Sequence, residues 1–372
     1  MKDNRLTILA HILLDHSLQI EKGDNFVLKA PYSAKPLILE IVNYANEIEA
    51  NAFVTITDQD ITRKLMQGIN KETALINNEI ETLKFSKMKG LITIREEEKE
   101  TDPIDIETLT MIGKINKPLN DTIINEKRWV LLEWPTELAA QKVNMSYEQY
   151  YDFVLDVCTL DYVSMGKKAQ VLKDLMEKTD KVRIVGPNTD LSLSIKDCKA
   201  VICRGERNIP DGEVYVGPIK NSINGKITYN VKTKYQGKSF ENICFEFKDG
   251  KIIKASANAY NKALNKILDI DEGARYIGEF SLGFNPIIKK EIGNILFDEK
   301  MCGSFHLTPG QCYKRSNNGN NSQIHWDLVC SQLEEFGGGQ IYFDDVLIRD
   351  NGIFVLEELK CLNPDKLLKR KQ

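Results

Sequence analysis

The sequence predicts two domains: an α/β domain with a largely parallel sheet over residues 1–178, and a β-rich α+β domain over residues 179–372. At 372 residues the chain is longer than a single hydrophobic core usually supports. In the first half, short apolar runs alternate with helical patterns, which is typical of parallel strands joined by helices. After Val182, strand-like runs follow one another with one clear helix, which predicts a strand-rich second domain.

Four short apolar runs are the predicted strands of the first domain. Between the first two, apolar residues recur at helical spacing over residues 37–45, and Pro36 stands where the first turn of a helix tolerates proline. Ser146 and Gln149 form a capping-box pattern, which predicts the start of a helix leading out of the first domain. The predicted strands are residues 26–28, 52–56, 90–94 and 129–132.

The second domain is predicted from shorter strands. Residues 182–185 form an apolar run, and the strict alternation of residues 191–195 is typical of a strand with one solvent-facing side. Residues 257–268 form the clear helical pattern of this half. Further strand-like runs lie near Val201, Val214, Ile227, Phe245 and Ile252.

The composition excludes several classes of function. A hydrophobic content of 42% with 28% charged residues is typical of a soluble globular enzyme. The net charge of −4 gives no electrostatic basis for binding nucleic acid or an anionic membrane. Charged residues interrupt the apolar pattern of residues 1–20, so we expect no signal peptide or membrane span, and a cytoplasmic protein. Small neutral or peptidic partners fit this composition better.

His325 and Asp327 are the first candidate metal ligands. Both lie within residues 322–330, a segment that can form a strand, and side chains two residues apart on a strand point to the same face. The imidazole and the carboxylate would then converge on one point. The alternative is a surface histidine hydrogen-bonded to its neighbouring aspartate, but further candidate ligands in this half of the chain favour a metal site.

His306 and three glutamates extend the candidate set. His306 lies in a strand-like run, and Glu299 precedes it by seven residues. Glu279 lies in the apolar stretch 276–282, where an unpaired charge would cost on the order of several kcal/mol, so it requires a cation. Glu213 precedes another apolar run, where a solvent-facing strand position is the alternative.

These residues together predict a dinuclear hydrolytic metal site. Two imidazoles and at least three carboxylates are too many for one tetrahedral zinc and suit two divalent ions bridged by a carboxylate and a water. Such ions, about 3.5–4 Å apart, lower the pKa of the shared water to about 7 and polarise a carbonyl, as amide hydrolysis requires. Oxygen and nitrogen ligands serve zinc, cobalt, manganese and magnesium, so the identity of the metal stays open.

Several short motifs occur in series along the chain. They are residues 208–214 (NIPDGEV), 277–280 (IGEF), 296–300 (LFDEK), 303–306 (GSFH) with Tyr313, and 324–327 (IHWD). In this order they resemble the thermophilic-type metallo-aminopeptidase family, and the likeness extends to residues 134–137 and 145–146 of the first half. The resemblance implies a two-metal exopeptidase that removes N-terminal residues from peptides as a homodimer, with an α/β first domain and a β-rich catalytic domain.

The resemblance also implies roles for individual residues. Glu279 is the expected bridging ligand, and Tyr313 matches a family tyrosine that lies at the metals and would stabilise the tetrahedral oxyanion. Glu299 matches a motif glutamate that we expect to orient a ligand histidine or to carry a proton. Residues 308–310 are Thr-Pro-Gly where family members usually have Ala-Leu-Gly, so side-chain preference is not carried over. The implied metal ligands are Glu213, Glu279, His306, His325 and Asp327.

Two other functions remain as alternatives. His306, His325 and Asp327 also make the two-histidine, one-carboxylate set of a mononuclear iron(II) oxygenase, and relatives of this fold resemble ring-cleaving dioxygenases. That function leaves Glu213 and Glu279 without a metal role. The second alternative is a non-catalytic relative that kept the fold, and the complete ligand set speaks against it.

Overall fold

The structure is a computed structural model that describes residues 3–97 and 104–368. Up to residue 160 it alternates helices with strands. These elements are α1 (Asn4–His11, continued by the π-helical Ile12–Leu18), β1 (Asn25–Pro31), α2 (Lys35–Glu47), β2 (Asn51–Thr57), α3 (Gln59–Gly68), α4 (Lys71–Ser86), β3 (Gly90–Arg95), α5 (Ile106–Glu126), β4 (Arg128–Glu133), α6 (Glu137–Lys142) and α7 (Tyr147–Cys158).

The remainder of the chain is dominated by strands. Its elements are α8 (Tyr162–Met176), β5 (Lys181–Gly186), β6 (Thr189–Ser194), β7 (Ala200–Cys203), β8 (Asn208–Ile209), β9 (Glu213–Val216), β10 (Asn224–Thr228), β11 (Thr233–Tyr235), β12 (Lys238–Phe240), β13 (Cys244–Lys248), β14 (Lys251–Ser256), α9 (Asn261–Leu268), β15 (Ile277–Gly283), α10 (Ile295–Asp298), β16 (Ser304–Pro309), β17 (Leu328–Ser331), β18 (Gln340–Phe343), β19 (Val346–Asp350), β20 (Ile353–Phe354) and α11 (Pro364–Leu367).

The first compact unit comprises Met1–Leu160 and Gly205–Ile209. Its five strands are ordered β2-β1-β3-β4-β8, and every pairing between them is parallel. The four predicted strands are all present, and α7 begins with the predicted capping box, in which Ser146 and Gln149 bond each other's backbone. The predicted α/β class with a parallel sheet is therefore confirmed. Among the described residues, no helix is long and apolar enough to cross a bilayer.

The second compact unit comprises Asp161–Arg204 and Pro210–Gln372, and it holds antiparallel sheets as expected for a β-rich domain. One sheet has eight strands in the order β14-β13-β10-β6-β5-β18-β19-β20, and another has five in the order β17-β16-β15-β9-β7. The predicted domain limit at residues 178 and 179 lies inside this unit, because α8 packs against β7. The predicted helix over 257–268 begins later, at Asn261.

The antiparallel five-stranded sheet of the second unit is largely inaccessible to solvent. Every residue of β9, β15, β16 and β17 is buried. Strands of this kind normally carry apolar side chains, because a charge removed from water costs free energy unless another charge or a hydrogen bond compensates it. Charged and imidazole side chains on these strands consequently require partners within the protein.

Arg349, on β19 of the eight-stranded sheet, is a further buried charge. Its guanidinium is fully buried and donates hydrogen bonds to the carbonyl oxygens of Ser304 (2.6 Å) and Gly283 (2.5 Å). These two carbonyls belong to β16 and β15, so a single side chain from the eight-stranded sheet holds two strands of the five-stranded sheet.

Replacing Arg349 with methionine should destabilise the protein. Arg349→Met leaves two buried carbonyls without donors, and we expect the free energy of unfolding to fall by about 2–5 kcal/mol in denaturant titrations. Arg183→Met is the matched control, because Arg183 lies on β5 of the same sheet but is exposed and pairs with Asp190 at the surface. Equal stability of the two variants would contradict a structural role for Arg349.

Candidate metal centre

Three of the predicted ligands lie on one face of the five-stranded sheet. Glu213 on β9 is opposite Gly283, and Ser281 on β15 is opposite His306 on β16. Since side chains alternate between the faces of a strand, Glu279 lies on the same face as Ser281, and therefore on that of His306 and Glu213. All three side chains are buried. The solvent-facing alternative for Glu213 is thereby excluded.

His325 and Asp327 continue this face. The prediction of a strand over residues 322–330 is partly wrong, because β17 begins only at Leu328. An isolated antiparallel bridge between Gly310 and His325 nevertheless has the same direction as the pairing of β16 with β17. The Thr308 hydroxyl donates a hydrogen bond to Asp327 Oδ1 at 2.5 Å, which holds the carboxylate over the sheet. Thr308, which stands where members of the resembled family usually have alanine, thus has a structural role here.

The five predicted ligands form one chain of contacts centred on His306. His306 Nε2 lies 3.0 Å from Glu279 Oε1 and 3.9 Å from Asp327 Oδ1, and its Nδ1 lies 3.6 Å from Glu213 Oε2. His325 Nε2 lies 3.3 Å from Asp327 Oδ1. The structure therefore brings all five side chains together, although they come from a stretch of more than a hundred residues.

Two buried atoms of this cluster lack hydrogen-bond partners. Within the described part of the chain, neither Glu279 Oε2 nor His306 Nδ1 has one. An unsatisfied buried polar atom costs about 1–3 kcal/mol, and more when the group is charged. Ligand atoms of Glu213, Glu279 and His306 lie within 4.8 Å of one another, which is close enough to share an ion. Binding of a divalent metal would supply partners of the kind that these atoms lack, so these residues fit a metal.

The imidazoles are adapted to this acidic environment. Burial by itself would lower the pKa of His306, but the charge of Glu213 and the hydrogen bond to Glu279 raise it to about 9. At His325 burial is again outweighed, and the Asp327 carboxylate raises the pKa to about 10. The His325 Nδ1–H donates to the Gln311 carbonyl at 2.7 Å, which leaves Nε2 as the ligand atom of the neutral ring. A metal must displace protons here, so its affinity rises with pH.

Gly283 allows a further segment to reach the site. A Cβ atom at Gly283 would lie 2.6 Å from the Met301 carbonyl oxygen and 2.7 Å from the Ser304 hydroxyl. Only glycine therefore permits the segment that carries Glu299 and Lys300 to lie against the sheet. Burial raises the pKa of Glu299 to about 8, with the charge of Lys300 opposing the shift.

Lys300 is the site residue that sequence reasoning missed. Its ammonium is buried and contacts Glu213 Oε1 at 2.5 Å and Glu299 Oε1 at 2.6 Å. Its sequence context gives little signal, because it follows the charged Asp298 and Glu299 and precedes the apolar Met301. Glu299 contacts this lysine rather than either imidazole, so the structure places it beside Glu213.

Tyr313 lies at the accessible side of the cluster. Its side chain is about half exposed, at 48%. The ring packs against His325, with centroids 4.7 Å apart, and against Tyr215, with centroids 5.8 Å apart. Tyr313 is consequently positioned where a molecule from solvent first meets the ligand residues.

A comparison with protein families identifies the family of this chain. The family model "Thermophilic metalloprotease (M29)" matches residues 2–354. The chain belongs to this family. Aminopeptidase T of Thermus thermophilus is 22% identical over 377 residues, covering 88% of this chain and 92% of the relative. Aminopeptidase AmpS of Bacillus subtilis is 31% identical over 132 residues, 34% of this chain, and that match spans only 32% of the relative's length.

A solved structure shares the fold of this chain. Wild-type AmpT from Thermus thermophilus superposes with a TM-score of 0.81, covering 95% of this chain and 99% of that chain. At 19% sequence identity this likeness shows the fold alone, and it confirms the predicted fold class. Membership of a metalloprotease family implies a divalent metal, and the buried acidic and imidazole cluster is compatible with one.

Removing the Glu279 carboxylate should abolish metal-dependent stabilisation. Zinc at about 100 times its dissociation constant adds about 2.7 kcal/mol of stability, because it binds only the folded chain. We expect zinc to raise the thermal unfolding midpoint of chelator-treated protein. Glu279→Gln keeps the shape of the side chain but removes its charge, so this variant should lose the rise. Glu272→Gln, at an exposed glutamate before β15, should retain the rise. An undiminished rise in Glu279→Gln would remove this residue from the ligand set.

Proposed function

We propose that this protein is a metal-dependent aminopeptidase that hydrolyses N-terminal residues from peptides. The observation that supports this most directly is a pair of buried atoms without hydrogen-bond partners, Glu279 Oε2 and His306 Nδ1. They lie within a set of carboxylates and imidazoles on one sheet face. Family membership and the aminopeptidase names of its relatives support the same activity.

The proposed ligands hold the metal and the remaining groups serve the substrate. A divalent ion held by these residues would supply a water of pKa about 7 and would polarise the scissile carbonyl. Glu279, expected from the sequence to bridge two ions, would be one of the ligands. The Tyr313 hydroxyl donates a hydrogen bond to the oxyanion that forms at the substrate carbonyl. Glu299, whose pKa is about 8, accepts or returns a proton at neutral pH, or orients its neighbours through Lys300. The proposed ligands are Glu213, Glu279, His306, His325 and Asp327.

Substrates with a free N-terminus suit the charge of this site. Five carboxylates lie in or beside it, against one buried lysine and two imidazoles, so negative charge is in excess. That excess attracts the α-ammonium of a peptide, and only a chain terminus brings an amine there while presenting the first amide to the reacting water. The carboxylates are Asp211, Glu213, Glu279, Glu299 and Asp327.

The geometry favours this function over the alternatives. An iron(II) facial triad of His306, His325 and Asp327 leaves Glu213 and Glu279 idle, yet both lie within 3.6 Å of His306. One iron per chain with dioxygen uptake would support that rival. A non-catalytic relative has no need of a complete, buried ligand set. Two bound ions drawn from zinc, cobalt, manganese and magnesium, a homodimer and a cytoplasmic location stay predictions from the sequence.

Hydrolysis should require both a metal and a free amine. We expect purified protein to release the chromophore from aminoacyl p-nitroanilides, to lose this activity with chelator, and to regain it with zinc, cobalt, manganese or magnesium. The same substrates with an acetylated amine should remain intact. Activity that survives chelation, or equal hydrolysis of the acetylated compounds, would refute the proposal. Glu279→Gln is the matched inactive control, with the exposed Glu272→Gln as the active one.

Tyr313 should contribute to turnover rather than to binding. Tyr313→Phe removes only the hydroxyl, so we expect kcat to fall about 100- to 1,000-fold, as for loss of one oxyanion donor, with KM little changed. Tyr215→Phe is the control, because its ring packs against Tyr313 within the buried sheet. If kcat of Tyr313→Phe equals that of the unmodified enzyme, the hydroxyl has no part in the reaction.

A further inference from the structure

Lys300 is an unusual residue for the centre of a metal site. Its side chain is almost completely buried, and its ammonium lies 2.5 Å from Glu213 Oε1, 2.6 Å from Glu299 Oε1 and 3.8 Å from Asp211 Oδ1. A lysine with three carboxylate neighbours and no access to water is a fixed positive charge. It stands at a point where the Asp211 and Glu213 carboxylates of one segment meet Glu299, its own neighbour in the chain.

The oxygens on this side of the cluster are already engaged. Glu213 Oε1 accepts from Lys300, and Glu213 Oε2 accepts from the Ser281 hydroxyl at 2.8 Å. Asp211 Oδ1 accepts from the Gly212 N–H at 3.0 Å. The other side differs, because Glu279 Oε2 and His306 Nδ1 are buried without hydrogen-bond partners in the described chain. One half of the cluster thus holds a lysine ammonium, and the other half holds none.

Without Lys300, the engaged half would itself offer metal ligands. Ligand atoms of Cys203, Asp211 and Glu213 lie within 4.8 Å of one another, and Glu299 is held nearby by the same lysine. A divalent ion binds carboxylate oxygens at about 2.0–2.2 Å. An ion and an ammonium that share Glu213 Oε1 would repel each other at close range, so both cannot occupy this position.

We propose that the Lys300 ammonium takes the place of a second divalent ion, so that this site binds one ion, beside Glu279 and His306. This rests on the proposed function, and it replaces the pair of ions that the ligand count predicted. Lys300 provides the charge that a second ion would give to Glu213 and Glu299. Because a lysine does not dissociate, this half of the site stays neutralised at any metal concentration.

The zinc content of the purified protein tests this directly. Wild type, Lys300→Met and Lys290→Met are stripped with chelator, reloaded with excess zinc, passed through gel filtration and analysed for zinc per chain. We expect one zinc in wild type and two in Lys300→Met, in which three carboxylates have lost their cation. Lys290→Met, at an exposed lysine ten residues away, should bind one zinc.

The zinc counts distinguish a failure of this proposal from a failure of the proposed function. Two zinc ions in wild type would overturn the role of Lys300 and leave a metalloprotease site intact, whereas none would count against both. A folded Lys300→Met with a single zinc would also overturn it. Should Lys300→Met fail to fold, Lys300→Gln carries the same expectation, and the wild-type count decides between one ion and two without any variant.

Discussion

The cost of burying charge governs this structure. Strands β9, β15, β16 and β17 are inaccessible to solvent, yet they carry Glu213, Glu279 and His306 on one face. Charges in such a place must be neutralised by other charges or by an ion. Lys300 neutralises one side of the cluster. On the other side, the buried atoms of Glu279 and His306 that lack hydrogen bonds indicate the position of a metal ion. The metal site follows from this constraint more directly than from any motif.

The surrounding fold serves to keep these groups in register. The pairing of β9, β15 and β16 decides which side chains share a face, and a slip of one residue would send Glu279 to the opposite side. Arg349 ties β15 and β16 through their carbonyls. Gly283 has no side chain, which leaves room for the segment that carries Glu299 and Lys300. The site therefore requires glycine at this position.

Sequence reasoning recovered the strands and the ligand types, because both are local signals. Apolar runs located β1 to β4, and a carboxylate within an apolar run indicated Glu279. It did not recover Lys300, whose partners are Glu213, far away in the chain, and Glu299, its immediate neighbour. Nor did it recover the pairing of Thr308 with Asp327, which depends on the register of β16 and β17. The short β8 joining the parallel sheet was likewise hidden, since a two-residue strand has no periodicity.

The central claim is that a divalent cation binds against the buried face at His306 and Glu279. Diffraction data collected at the zinc absorption edge from crystals grown with zinc test it most directly. The account predicts an anomalous peak about 2.0–2.2 Å from a His306 nitrogen and a carboxylate oxygen of Glu279. Crystals with no peak at this position, and with His306 still hydrogen-bonded directly to Glu279, would contradict it.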